Sequence, residues 1–252
     1  MKNPAMMPIR FNRRALPRPM SAGRSTAYAS IFCLAVVAGG CGPSIDAAAK
    51  ADVDRRLARM QSSERAFAAP ADATPLPLAV GQWVTYKFVD DKGQPSFMTL
   101  KLVGETGGAY WYETLGESYY GTTATRMLLD FGDRKGPESV TIKTAKIRLH
   151  DGNVVDYPES VVGMMNSLLR GNLGPVVINF WGMPQEDVTA TAGRFARCYR
   201  GTSEVQFAGF KASSLVWGHP AIPFSGMVKS QGDDGSRGEL VDFGTSGAVS
   251  SF

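Results

Sequence analysis

The sequence predicts a mainly β chain of the α+β class: a curved antiparallel sheet, a helix before it, and a second helix plugging its open side. Three observations carry that reading. From residue 81 onward apolar residues recur with a period of two, in short runs separated by glycine- and aspartate-rich turns. Before residue 70 the spacing is helical. Between Pro158 and Trp181 the alternation stops and a denser apolar stretch takes its place.

Ser44 is placed to cap a helix starting at Ile45, with Asp46 in the first turn, where a carboxylate meets the positive end of the helix dipole. Ile45, Val53, Leu57, Met60 and Phe67 make a thin apolar stripe, with Arg55, Arg56, Arg59 and Arg65 elsewhere. Such a helix either packs on the domain or spaces it, and its arginines either touch anionic headgroups or form a solvated face. Pro70, Pro75 and Pro77 end it and make a semi-rigid connector.

Strands are expected at 81–89, 97–103, 109–114 and 122–129, with turns at Asp90-Asp91-Lys92-Gly93 and Gly107-Gly108. In 139–149, Val140 and Ile142 share one phase while Ala145, Ile147 and Leu149 share the other. A phase flip of this kind is what a β-bulge produces, here near Thr144. Asp151-Gly152-Asn153 reads as a hairpin turn. Pro158 opens a helix carrying Val161, Val162, Met164, Met165, Leu168 and Leu169, closed by Gly171. Apolar residues on nearly all its sides imply burial against the sheet. A sharper reading makes it a lid over a lipid-sized cavity, with Met164, Met165, Leu168, Leu169 and Trp181 as an adaptable lining. Further strands follow at 187–191, 194–200, 205–211, 214–217, 226–230 and 238–243. Gly232-Asp233-Asp234-Gly235 lacks the spaced oxygen ligands of a calcium loop and reads as a hairpin turn.

Upstream lies an export pattern. Arginines precede an apolar run, Ile31 to Val37, too short for the ~20 residues that span a bilayer. The run ends at Val37-Ala38-Gly39-Gly40-Cys41. This stretch resembles the lipobox of bacterial lipoproteins, in which the cysteine thiol is lipidated before cleavage. The resemblance implies a signal peptide over 1–40, an acylated N-terminal arm over 41–77 and a β domain over 78–252. The residue after Cys41 is glycine rather than aspartate, which by the same resemblance implies the outer membrane. An ordinary signal peptide cleaved nearby is the alternative. Arg13-Arg14 stands too far from the apolar core for a twin-arginine signal, and Met20 offers a second start.

Setting 1–40 aside changes the charge. The chain holds 27 basic and 23 acidic residues, and six of the basic ones and no acid lie before Cys41. That leaves 21 basic against 23 acidic, so the basic balance belongs to the signal and a nucleic-acid partner loses its support. Cys33 leaves with the signal and Cys41 is acylated, so Cys198 stands alone, with no intramolecular disulfide open to it. Burial as a small apolar filler fits it best.

The order of Gly81-Gln82-Trp83-Val84-Thr85-Tyr86, then Val188 to Cys198, Val216-Trp217 and Ile222 to Lys229 resembles a group of bacterial lipoproteins. Their domain is similar to the half-barrel of the Lol-type lipoprotein carriers. The resemblance implies a half-barrel whose apolar concave face is closed by helical loops, with a lipid or lipoprotein as ligand.

Catalytic patterns are lacking. His150 and His219 have no second ligand at metal spacing, and no cofactor is expected. Gly244-Thr245-Ser246-Gly247-Ala248 lacks the second glycine of a nucleophile elbow and lies too near residue 252 for a following acid and histidine. Glu113, Glu117 and Glu204 show no pairing. Trp83, Tyr86, Tyr110, Trp111, Tyr112, Tyr119 and Tyr120 either stack on glycan or pair across strands, and the consecutive Tyr110-Trp111-Tyr112 must point to both faces. The expectation is a non-catalytic lipoprotein on the periplasmic face of the outer membrane. It binds an apolar or acyl ligand in the concave face or, alternatively, a protein or cell-wall glycan through exposed aromatics.

Overall fold

The computed structural model describes residues 44–72, 74–132, 140–172, 183–207, 210–224 and 226–252, with backbone alone at 168–172, 204–207 and 210–212. Residues 1–40, expected to be a signal segment, lie outside the described residues with Cys41 and Trp181.

Helix α1 spans Ala47–Arg59. Its cap is Asp46, not Ser44: the Asp46 carboxylate accepts the Ala49 amide at 2.7 Å. The Asp46 amide in turn donates to Tyr119 O, a tertiary contact that fixes where the helix starts. The helix ends at Arg59, well before Pro70, because the chain beyond it is taken up by sheet pairing. Strand β1 (Ala66–Phe67) runs parallel to β9 (Gly193–Phe207). Val53 is the buried residue of the stripe, a burial that contributes about 1.5–3 kcal/mol, while Ile45 stays 51% exposed.

The main sheet follows the predicted meander. Strands β2 (Trp83–Val89), β3 (Pro95–Thr106), β4 (Ala109–Ser118), β5 (Gly121–Asp130), β6 (Thr141–Arg148) and β7 (Val154–Asp156) pair antiparallel in sequence order. Gly107 and Gly108 both sit at positive φ, as a tight hairpin twisting with its strands requires. The bulge expected near Thr144 is present. Leu128 pairs with Thr144 and Leu129 with Ile142, so Lys143 is the extra residue, and Val140 and Ile142 remain buried with Ala145 and Ile147 across the phase flip.

Helix α2 (Glu159–Asn172) follows. It lies against β6 at one end of the sheet and reaches β9 near the other, which closes the open side as the sequence implies. Burial is one-sided, though, and not all round: Val162 is buried and Met164 is 43% exposed.

Strand β8 (Gln185–Ala190) pairs with β9, and β10 (Phe210–Gly218), β11 (Met227–Gly232) and β12 (Arg237–Gly244) carry the sheet back to β2. The two strands expected at 194–200 and 205–211 are instead one long strand and the start of the next, with Phe207 paired to Phe210. Gly201 does not break β9. It makes room for Met183, whose Sδ would lie 2.9 Å from a Cβ there.

The sheet is strongly curved. In a flat sheet β9 and β12, three positions apart, would lie ~14 Å apart. Instead the Ala192 amide, in the β8–β9 turn, donates to Leu240 O at 3.0 Å, and the Phe195 and Phe243 rings are 6.4 Å apart. Strand β1 wedges this end shut. Phe67 stacks on Phe195 at 4.5 Å, and Arg65 bonds Asp242 at 2.7 Å. Gly193, at φ +142°, allows the approach, since a Cβ there would lie 2.5 Å from Arg65 O.

The inner face holds the main core: Val84, Tyr86, Leu100, Leu102, Val188, Phe195, Ile222, Phe224, Val228 and Leu240. A second cluster joins Met127, Leu129, Phe131, Val140, Ile142 and Ala145 to Val162 of α2. The connector after α1 packs on this body. Leu76 N donates to Pro220 O, Gln82 Nε2 to Pro77 O, and Leu78 touches both clusters.

Candidate functional site

The inner face is filled where it is described. Tyr86 and Phe195 are 1% exposed, and Val84 and Leu102 are fully buried. Tyr112, edge-on to Phe224 at 6.1 Å, is so enclosed that its phenol titrates well above the usual tyrosine range. Met165 packs against the second cluster, whereas Met164 faces solvent. The Leu168 and Leu169 side chains, like Trp181, lie outside the described residues. Asn166 ties α2 to the sheet. Its Oδ1 accepts the Ile142 amide at 2.7 Å and its Nδ2 donates to Ile142 O at 2.9 Å. Strand β7 pairs with 146–148 and Tyr157 N donates to Ala145 O, and beyond these Asn166 satisfies the β6 edge at Ile142.

The outer face carries the more distinctive chemistry. Register places Lys101, Glu113, Arg126, Lys146 and Asp156 directly opposite one another across β3 to β7. Glu113 is fully buried, which is unusual for a carboxylate on a sheet's outer side. What buries it is the chain beyond β12. Residues 245–252 turn off the sheet and run back across β2 to β5. Trp83 Nε1 donates to Ser246 O at 3.2 Å, and Ala248 N donates to Gly81 O. Ser250 Oγ donates to Glu113 Oε1 at 2.6 Å, and Ser251 N to Glu113 Oε2 at 2.7 Å. Lys101 Nζ donates to Val249 O and Ser251 Oγ at 2.9 and 2.6 Å. The Phe252 ring lies between the Arg126 and Arg148 guanidiniums, at 5.8 and 5.6 Å, and Arg126 also covers Trp111. Arg126 Nε stands 3.4 Å from Glu113 Oε1, an ion pair without a formed hydrogen bond.

This strap is what sequence reasoning missed. Glu113 looked unpaired because its partners come from β3, β5 and the last turn of chain, and serines beyond a final strand carry no pattern. The segment compared with a nucleophile elbow is the bend that launches the strap. Glu117 has a structural partner too, pairing with Arg56 of α1, which also lies over Phe97. The side chain of Glu204 lies outside the described residues.

The remaining reactive groups are engaged. His219 is 2% exposed; its Nδ1 accepts Ala221 N, so Nε2 carries the proton and donates to Ala68 O at 3.1 Å. Burial holds its pKa below the usual histidine value. His150 sits in the exposed β6–β7 turn. Cys198 is buried, as expected, and desolvation with nearby Asp187 and Glu186 pushes its thiol up to about 12. Among the described residues no three His, Cys, Asp or Glu side chains converge as a metal site would require. The aromatics divide between faces: Tyr86, Tyr110 and Tyr112 join the core, and Trp83 and Trp111 lie outside.

No protein family and no curated protein matches the chain. Among solved structures it is similar to a Bacteroides fragilis protein described as exported and YmcC-like in fold. The likeness is at 13% identity and a TM-score of 0.35, over 69% of this chain and all of that one.

Proposed function

We propose that the chain is an exported lipoprotein, acylated at Cys41 and held on the periplasmic face of the outer membrane, whose non-catalytic half-barrel binds an extended protein segment on its outer face. The observation that carries the binding reading is the strap. A fully buried Glu113 flanked by Lys101 and Arg126 is a costly arrangement, since apolar residues of the same volume pack without a desolvation penalty. Such groups specify register. They read small hydroxyl side chains, a backbone amide and an aromatic ring, which are the features that Ser250, Ser251 and Phe252 present. A partner segment of the same chemistry fits the same groove once the strap lifts. The non-catalytic reading is supported by His219 and Cys198, both buried and bonded within the fold.

The test is a chain ended after Ala248, titrated calorimetrically with the peptide Ala-Val-Ser-Ser-Phe. One-to-one binding that Glu113→Gln abolishes is expected. A folded, truncated chain that takes up no peptide overturns the groove.

An apolar or acyl ligand in the concave face is the second reading, supported by the resemblance to Lol-type carriers and by α2, whose Met164 and Met165 span an exposed and a packed position. It is confined to the α2 side, because the core fills the rest. Mass spectrometry of an organic extract from detergent-free protein tests it. Bound lipid supports it, and a lipid-free extract removes it.

A further inference from the structure

The described chain opens at one end of the sheet. Asp46 N donates to Tyr119 O at 2.8 Å, in the β4–β5 turn, and Lys50 lies over the Tyr119 ring while Tyr119 OH bonds Asp54. Asp46 stands five residues after Cys41. Whatever conformation the intervening residues take, five residues reach at most ~18 Å. An acyl chain on Cys41 therefore keeps the β4–β5 turn within that distance of the bilayer.

Two more turns adjoin this corner. Tyr120 OH donates to Gln94 Oε1 at 2.8 Å, beside the β2–β3 turn. A Cβ on Gly121 would lie 3.4 Å from the His150 Cβ, in the β6–β7 turn. Exposed apolar side chains gather at this corner: Ile45 at 51%, Tyr120 at 44% and Val154 at 53%. Each sits beside one of these turns, and none is needed by the core. Toward β12 this end is acidic, with Asp233 and Asp234 in the β11–β12 turn, whereas beside α1 the charges are paired, Lys50 with Asp54. The end thus has an apolar side and an acidic one. No helix among the described residues is long and apolar enough to cross a membrane, so contact with lipid at this corner is interfacial.

We propose that this corner, through Ile45, Tyr120 and Val154, rests on the phospholipid surface and fixes the half-barrel's orientation, with the acidic β11–β12 turn tilted away and the strap groove left open to the periplasm. The proposal rests on the acyl anchor proposed above and deepens it.

The experiment attaches an environment-sensitive fluorophore at Tyr120→Cys or, as the distal control, at Thr245→Cys. The full chain, expressed with its signal and reconstituted in phosphatidylethanolamine vesicles, is compared with and without shallow spin-labelled lipid. A parallel arm carries Cys41→Ser and a hexahistidine tag at residue 40 on nickel-chelating vesicles, so tethering does not depend on acylation. Quenching at 120 that exceeds quenching at 245 in the nickel arm is expected. Equal quenching at the two sites, or the reverse order, overturns the corner. The mass of the mature N-terminus reads the anchor separately: an unmodified Cys41 alongside selective quenching at 120 removes the anchor and keeps the surface. In the nickel arm, Ile45→Glu with Val154→Glu is expected to remove the difference between the sites, and a difference that persists in that variant overturns the role of those side chains.

Discussion

Glu113→Gln is the perturbation that most sharply separates a working strap from incidental packing. The substitution keeps volume and one acceptor but removes the charge that receives Ser250 Oγ at 2.6 Å and Ser251 N at 2.7 Å. Hydrogen bonds to an ionised group contribute roughly 1.5–3 kcal/mol, about twice a neutral one. Neutralising the acceptor of two such bonds therefore costs about 1.5–3 kcal/mol of strap docking. The loss is local. The strap can lift without unfolding the sheet, and once it lifts, Glu113 is solvated and a glutamine there is nearly neutral. The assay is urea unfolding of four proteins: the full chain and the chain ended after Ala248, each with Glu or Gln at 113. Destabilisation is expected in the full chain and little change in the shortened one. Amide exchange should locate the difference at Ser251. Equal costs in both backgrounds would mean that Glu113 serves the sheet alone, and the strap argument would fail.

Three further outcomes follow from the geometry. Asn166→Ala leaves the amide and carbonyl of Ile142 without partners at the β6 edge, which should cost about 2 kcal/mol and speed exchange of the Ile142 amide; unchanged exchange would remove the edge-covering role. His219 titrates below its unfolded value, so the unfolded chain takes up protons first as pH falls. Its stabilising contribution is complete above about pH 6.5 and declines below it, and His219→Gln should flatten unfolding stability between neutral and mildly acid pH relative to the native chain. Gly193→Ala puts a Cβ 2.5 Å from Arg65 O at a φ of +142°, and should cost more than about 2 kcal/mol while freeing residues 63–67 to proteolysis.

Most strands were legible because one face lies in the core, and period-two patterning survives any amount of tertiary detail; β7, exposed at all three positions, carries no such signal. The bulge near Thr144 was legible for the same reason: a phase flip cannot occur without an extra residue, and Lys143 supplies it. Elements set by partners distant in sequence were not. Ser44 and Asp46 both suit a cap, and the choice between them is made by Tyr119. Nothing in Ala66-Phe67 announces a strand; Gly193 and Phe195 create its place. Gly201, between the strands expected at 194–200 and 205–211, is a notch for Met183. The outer-face site was the least legible. A lone glutamate in an aromatic strand becomes a buried anchor only after register sets it between Lys101 and Arg126 and the strap folds over it.

Mass spectrometry of the mature N-terminus, in the native chain and in Cys41→Ala, tests the account of this protein most directly. The account predicts a diacylglyceryl-modified Cys41 as the first residue, and loss of outer-membrane fractionation in the alanine variant. An unmodified N-terminus produced by cleavage at another bond, with membrane association unchanged in Cys41→Ala, contradicts it.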